Sequence, residues 1–382
     1  SASDFLAEQL LNHLKPSQML RLYSSTMRPD KISRKLRGHS NYTEDGEEKL
    51  YSLSTLSAFK VIVTTLVTSA KLIQAGLGVK HFTHIVVDEA GQALEPECII
   101  PLAGLISPWN PGCTGTGGHV ILAGDPMQLG PVVSNQLCSS HGLGVSLLER
   151  LMNMPAYQKN GQESSHMMTK LLRNFRSHGD LLQVPNEMFY NSELQVYADE
   201  ETSKSMLLWE ELPTKGVPLL FHGVSGEDMQ DGTCPSFFNL EEIKVVLGYV
   251  TSLLSWRNGL QRRLNEEEIG IITPYRKQVA KICGELAKRA LKNISVGSTE
   301  QFQGQERTVI IATTVRSTND NLKAKDLRHR LGFLKNPKRF NVSVTRAKSL
   351  MVIVGNPHIL CQDPCWNKMI EFCISKGAYR GI

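Results

Sequence analysis

Two adjacent acids close the apolar run His84-Ile-Val-Val-Asp88-Glu89-Ala90-Gly91-Gln92. At the end of a parallel strand, the first acid can hold Mg²⁺ through water while the second orients a water for attack on phosphate. A second apolar run ends in Gly124-Asp125-Pro126-Met127-Gln128-Leu129-Gly130-Pro131, a tight turn that can aim the Gln128 amide at a terminal phosphate or its attacking water. In the second half, Arg173-Asn174-Phe175-Arg176-Ser177-His178 leads into an amphipathic stretch, and Arg339-Phe340-Asn341-Val342-Ser343-Val344-Thr345-Arg346-Ala347-Lys348 leads into the last apolar run. Guanidinium groups stay charged and fork onto phosphate oxygens, so Arg176 and Arg346 read as arginine fingers. Between them, Gly297-Ser298-Thr299-Glu300-Gln301-Phe302-Gln303-Gly304-Gln305-Glu306 offers hydroxyls and amides suited to a sugar-phosphate backbone and an acid suited to a ribose hydroxyl.

The elements that must position these groups follow from periodicity. Short β-branched runs alternate with longer amphipathic stretches, the pattern of parallel strands joined by crossover helices, so the expected class is α/β with both sheet faces covered. Strands are expected at Lys60–Thr65, Thr83–Asp88, His119–Gly124, Ile269–Thr273, Ile294–Thr299, Thr308–Thr313 and Leu350–Gly355. Helices are expected at Asp4–Leu14, Val145–Met152, His178–Phe189, Glu241–Ser255 and Arg276–Leu291. A length of 382 residues favours two lobes, which we place at 1–154 and 169–382 with a polar linker at 155–168. Residues 26–48 carry a basic and then an acidic cluster without a helical apolar stripe, and read as an inserted surface element.

Charge and composition narrow the classes. The net charge is +5, weakly favouring anionic partners and matching an enzyme with one basic channel better than a packer of duplex DNA. The eight cysteines form no regular framework, and Cys361 and Cys365 are expected to be structural thiols rather than metal ligands. No apolar run is long enough to span a bilayer and the N-terminus lacks a signal-like pattern, so no membrane partner is expected. Trp209, Trp256 and Trp366 read as core or interface anchors, His178 as a cap or packing residue at the start of its helix, and Lys323, Lys325, Arg328 and Arg330 as a solvated loop ahead of phosphate contacts.

Taken together, these phrases resemble motifs II to VI of superfamily 1 helicases, with the wording of the up-frameshift-like group. Asp88-Glu-Ala-Gly, Gly124-Asp-Pro-Met-Gln-Leu-Gly-Pro, Arg173-Asn-Phe-Arg-Ser-His, Thr273-Pro-Tyr-Arg-Lys-Gln and Phe333-Leu-Lys-Asn-Pro-Lys-Arg-Phe-Asn-Val are similar to the Moloney leukaemia virus 10 and Armitage RNA helicases. The resemblance implies two RecA-like lobes with parallel β-sheets flanked by helices, ATP and Mg²⁺ as cofactors, and a monomeric motor moving 5′-to-3′ on single-stranded RNA. It further implies RNA silencing or transposon control alongside Argonaute or Piwi proteins, in the cytoplasm and its ribonucleoprotein granules.

By motif, Asp88 binds Mg²⁺, Glu89 is the general base and Gln128 senses the γ-phosphate. Arg176 and Arg346 contact that phosphate, Phe175 lies near the adenine and Glu306 reaches the ribose. Ser3, Thr64, Thr65, Pro274, Tyr275, Ser298 and Thr299 line the RNA path. A DNA helicase of the same superfamily and a non-catalytic scaffold that holds RNA or protein are the rival readings.

One departure stands out: Gly-x-x-x-x-Gly-Lys-Ser/Thr occurs nowhere in the sequence, so the nest and lysine that cradle β- and γ-phosphates are missing. Gly112-Cys-Thr-Gly115-Thr-Gly117-Gly118 precedes a strand and reads as a turn. Since Ser1–Asp4 resembles the remnant of motif Ia, which in the family follows the P-loop, the chain is expected to be a helicase core whose first lobe is incomplete at its N-terminus. By itself it is expected to be inactive.

Overall fold

The computed structural model describes residues 2–107, 117–159, 162–163, 166–232, 235–257, 263–317 and 331–382. The greater part of the expected turn over 112–118 and the basic residues Lys323, Lys325, Arg328 and Arg330 lie outside them. Contacts divide the chain into two units, Ser1–Pro126 with Gly130–Met168, and Met127–Leu129 with Thr169–Ile382. No helix among the described residues is long and apolar enough to cross a membrane.

The first unit opens with helix α1 (Ala2–Leu10). Its strands form two parallel pairs, β1 (Met19–Arg21) with β2 (Val61–Val63) and β3 (His84–Val87) with β4 (His119–Leu122). Residues 26–48 are not the surface insertion their composition suggested. Ile32, Leu36 and Tyr42 pack into one core with Ala7, Met19, Tyr23 and Val63. Ile32 follows a 3-10 turn at Pro29–Lys31, Leu36 sits in a short helix at Arg34–Arg37 and Tyr42 lies beyond both, so the apolar residues never show a sustained helical spacing. Helix α2 (Glu95–Leu105) follows β3 and was hidden in the sequence by two prolines. Pro96 falls in the first turn, where a missing N–H costs nothing, whereas Pro101 is interior and would ordinarily argue against a helix. Residues 155–168 group with this unit and include a short antiparallel pair, Gln158–Lys159 with Gln162–Glu163.

The second unit is built on a six-stranded sheet. Its strands are β5 (Leu219–Gly223), β6 (Ile269–Ile272), β7 (Ser295–Gly297), β8 (Arg307–Thr313), β9 (Ala347–Gly355) and β10 (Tyr379–Gly381). They lie in the order β7-β6-β8-β9-β5-β10, every neighbouring pair parallel. Alternate residues of one strand serve opposite cores, as the pleat requires. Ile310, Ala312, Met351 and Ile353 join one cluster, while Val309, Ile311, Leu350 and Val352 join the other.

Helices α3 (Gly179–Phe189), α6 (Pro337–Val344) and α7 (Pro364–Ser375) contribute to the first cluster. Helices α4 (Leu240–Ser255) and α5 (Arg276–Lys288) contribute to the second. Helices on both faces of a parallel sheet are the class expected. Trp209 and Trp256 anchor one cluster and Trp366 the other. Strand β5 and helix α7 were not anticipated. Leu219-Leu-Phe lacks the β-branched signature, while α7 does carry a start signal, Asp363 capping and Pro364 in the first turn.

Candidate functional site

In the first unit Asp88 and Glu89 stand directly at the C-terminal end of β3. Asp88 is exposed and its Oδ1 accepts from the Glu89 N–H at 3.0 Å. Glu89 takes φ 53°, a left-handed conformation costly for a residue with a side chain and typical of functional turns. Its carboxylate is steadied by Gln92, whose Nε2 donates to Oε2 at 2.8 Å. This acidic turn is locked to the end of β4 through backbone. Ala90 N donates to Ala123 O at 2.7 Å, and Ala123 N to Val87 O at 2.9 Å. A Cβ on Gly124 would sit 2.8 Å from Gly91 N, and one on Gly91 would sit 3.0 Å from Asp125 O. Both glycines are therefore needed for the two turns to approach this closely.

In the second unit the loop carrying Arg176 is stitched to the start of β9. The Asn174 side chain accepts from the N–H groups of Arg176 and Ser177, each at 2.9 Å. Arg176 Nη1 then donates to Thr345 O at 3.3 Å, Ser177 Oγ to Ala347 O at 2.7 Å and His178 N to Lys348 O at 3.0 Å. His178 caps α3 as expected, its Nδ1 accepting from Asp180 N at 3.2 Å. Burial moves the His178 pKa down, with Asp180 opposing.

Arg346 is only 2% exposed. Its Nε donates to Val342 O at 3.1 Å, and its Nη2 to Thr345 Oγ1 at 2.9 Å and Gln128 Oε1 at 3.3 Å. The tripeptide Met127–Leu129 groups with this unit, and Asn341 Nδ2 also donates to Met127 O at 3.0 Å. Two residues singled out in sequence, Arg176 and Arg346, thus meet on one that was not, Thr345, and a third, Gln128, joins them through Arg346.

Glu306 lies in the same cluster, one oxygen meeting Arg176 Nε at 2.5 Å and the other Lys348 Nζ at 2.8 Å. Burial raises its pKa, but the hydrogen bonds from Lys348 and Arg176 outweigh that and hold the carboxyl below its ordinary range. The ribose contact expected of Glu306 finds both oxygens already engaged. Phe175, adjacent to Arg176, is 68% exposed with its ring 5.7 Å from that of Tyr197.

All the residues expected along RNA except Ser3 follow strand ends. Thr64 and Thr65 come just after β2. Thr64 Oγ1 donates to Leu22 O at 3.0 Å and the exposed Thr65 donates to Thr68 Oγ1 at 2.8 Å. Ser3 lies in α1, half-buried. Pro274 and Tyr275 follow β6, and Ser298 and Thr299 follow β7. Tyr275 is 4% exposed, its ring edge-on to Phe237, and the Thr299 hydroxyl turns inward to Ser343 Oγ at 3.3 Å. Of these, Pro274 and Ser298 are half-buried and so partly open to solvent. Because all six strands of the second unit's sheet are parallel, Pro274, Tyr275, Ser298 and Thr299 lie at its C-terminal edge. Glu306 and Arg346, immediately before β8 and β9, lie at the N-terminal edge.

Metal chemistry is confined. Among the described residues no group of three or more His, Cys, Asp or Glu is placed to hold an ion. Cys365 is buried, its thiol pushed up to about 11, and Cys361 is exposed. A single carboxylate such as Asp88 nonetheless suits Mg²⁺, which takes most of its ligands from water and substrate phosphates.

Two family models, each described as an AAA domain, match residues 143–358 and 9–136. A Gallus gallus protein named as helicase MOV-10 is 44% identical over 398 residues, covering 100% of this chain and 41% of that protein. RNA helicase Mov10l1 of Homo sapiens is 45% identical over 100% of this chain and 31% of its own length. The RNA helicase armi of Drosophila melanogaster is 35% identical over 89% of this chain and 29% of its own. The chain therefore spans well under half the length of these relatives.

Proposed function

The chain belongs to the helicase AAA-domain family, in the group of the MOV-10, Mov10l1 and Armitage RNA helicases, and from that premise we propose that it is the motor core of an ATP-driven RNA helicase. The observation that carries the reading is that Thr345 joins the two arginines, Arg176 donating to its carbonyl and Arg346 to its hydroxyl, while Arg346 also donates to Gln128. Two guanidinium groups bonded to one residue can offer a polyanion such as a terminal phosphate charge-assisted donors from two side chains.

In this reading Arg176 and Arg346 grip the γ-phosphate and Gln128 reports its presence. Phe175 offers a flat apolar face to the adenine, consistent with its exposure beside Arg176. Asp88 would hold Mg²⁺, which supplies charge neutralisation on the phosphate oxygens. Glu89 accepts the proton of the attacking water, its carboxylate oriented by Gln92. Arg346 is already fixed by two bonds to its own segment, so it need not be ordered when phosphate arrives, and the stitched loop leaves only the Arg176 side chain to turn.

RNA would run over the opposite edge of the second unit's sheet, past Pro274 and Ser298, so that nucleotide and RNA act on two ends of the same strands. The motif resemblance extends the reading to 5′-to-3′ movement on single-stranded RNA in silencing or transposon control with Argonaute or Piwi partners. With no Walker A phrase in its sequence, the chain as given is expected to hydrolyse ATP negligibly.

The test is ATP turnover by the full-length protein with and without single-stranded RNA. Turnover should rise with RNA, and Glu89→Gln should lower it by about a thousandfold or more while nucleotide binding persists. Vigorous turnover by the Glu89→Gln protein would remove Glu89 from its role.

A further inference from the structure

Lys348 lies two residues beyond Arg346, at the start of β9, and its ammonium holds the Glu306 oxygen that Arg176 does not. The side chains of Arg176, Glu306 and Lys348 are 28%, 39% and 31% exposed, so solvent screens them only in part. An Arg176–Glu306 pair alone would sum to zero charge. A phosphate drawn towards Arg176 would meet a carboxylate at the same place, and its attraction to one would be cancelled by repulsion from the other. With Lys348 the triad keeps a net charge of +1, and Glu306 has a second cation to rest on if Arg176 turns away.

The backbone makes this exchange local. Ser177 Oγ and His178 N bond to the carbonyls of Ala347 and Lys348, so the segments that carry Arg176 and Lys348 stay in register when the Arg176 guanidinium leaves the Thr345 carbonyl. Only side-chain torsions are needed to move the guanidinium from carboxylate to phosphate.

We propose that Lys348 is a positioning residue for Arg176: by sharing the Glu306 carboxylate it keeps the cluster cationic and releases Arg176 to a phosphate oxygen of the nucleotide. This rests on the preceding reading of Arg176 as a phosphate contact. Glu306 becomes the resting partner of Arg176, and Lys348 the group that weakens that hold.

RNA-stimulated ATP turnover of the full-length protein tests it, with melting temperatures recorded for every variant. Lys348→Met should lower kcat about tenfold while KM for ATP changes less than about threefold, because the lost contact matters most as Arg176 reaches the transition state. Lys348→Arg should restore most of the rate. The deciding variant is Lys348→Met with Glu306→Gln. The neutral amide no longer competes for Arg176, so the double variant should turn over faster than Lys348→Met alone, whereas two merely structural lesions would add. A double variant no faster than Lys348→Met, or a Lys348→Met protein at wild-type rate, overturns the proposal. Arg176→Ala separates the two levels. If it is inactive while the double variant is not rescued, only the role of Lys348 falls; if it keeps full turnover, the phosphate role of Arg176 falls and this inference with it.

Discussion

Strands β4 and β8 are both β-branched runs, yet Ile121 in β4 is 49% exposed and Ile311 in β8 is 0% exposed. β8 lies between β6 and β9 in a sheet covered on both faces, whereas β4 pairs with β3 alone among the described residues. The consequence is two ways of holding a polar site. In the second unit Arg346 and Glu306 are rooted at the starts of deeply packed strands and Arg176 in the loop stitched to one of them, the arginines bonded to neighbouring carbonyls and Glu306 to Arg176 and Lys348. In the first, the acidic turn depends on its own backbone, on two glycines and on one left-handed glutamate. Packing supplies rigidity in one case and close main-chain approach in the other.

The contrast should be largest in matched truncations. Ile311→Ala leaves a cavity in the second unit's core and should cost about 3 to 4 kcal/mol, while Ile121→Ala should cost less than about 1 kcal/mol. Denaturant unfolding, with hydrogen exchange to separate the units, measures both. Equal losses would dissolve the distinction.

A smaller effect belongs to the second unit through Glu242, which is 0% exposed at the start of α4. Its Oε2 accepts from Thr313 Oγ1 at 2.5 Å and Val315 N at 2.9 Å, while Oε1 has no hydrogen-bond partner. Burial pushes its pKa from 4.5 up to about 7, against the lowering effect of those bonds. The folded value lies above the unfolded one, so this stability is complete below about pH 4.5, falls as pH rises and is gone above about pH 7, a span of about 3 kcal/mol. Glu242→Gln should flatten that decline in stability curves taken across the window. An unchanged slope would mean that the carboxyl titrates normally.

How much of this could be read from the sequence depended on what each element owes to local pattern. Strands β6, β8 and β9 were legible because burial on both faces demands an uninterrupted β-branched run. β10, three residues at the sheet edge, has no room for a pattern. α2 was masked by Pro101, whereas α7 had an overlooked signal in Asp363-Pro364 followed by Trp366, Met369, Ile370 and Cys373 on one face.

At the site, residue types and phrases pointed to Asp88, Glu89, Gln128, Arg176 and Arg346. Thr345 and Lys348 stood in the same phrase without a mark, since their roles come from tertiary partners. Tyr275 shows the converse. A polar aromatic beside a proline after a strand suggests a binding surface, but its ring is consumed by packing on Phe237.

The proposed mechanism turns on Arg176 and Arg346 acting on one phosphate. The direct measurement is RNA-stimulated ATP turnover of the full-length protein with Arg176→Lys, with Arg346→Lys and with both. Lysine keeps the charge but lacks the planar fork, so each single change should slow turnover by about a hundredfold or more. If the two side chains serve one transition state, the double variant should be little slower than the worse single one. Losses that multiply independently would contradict the claim.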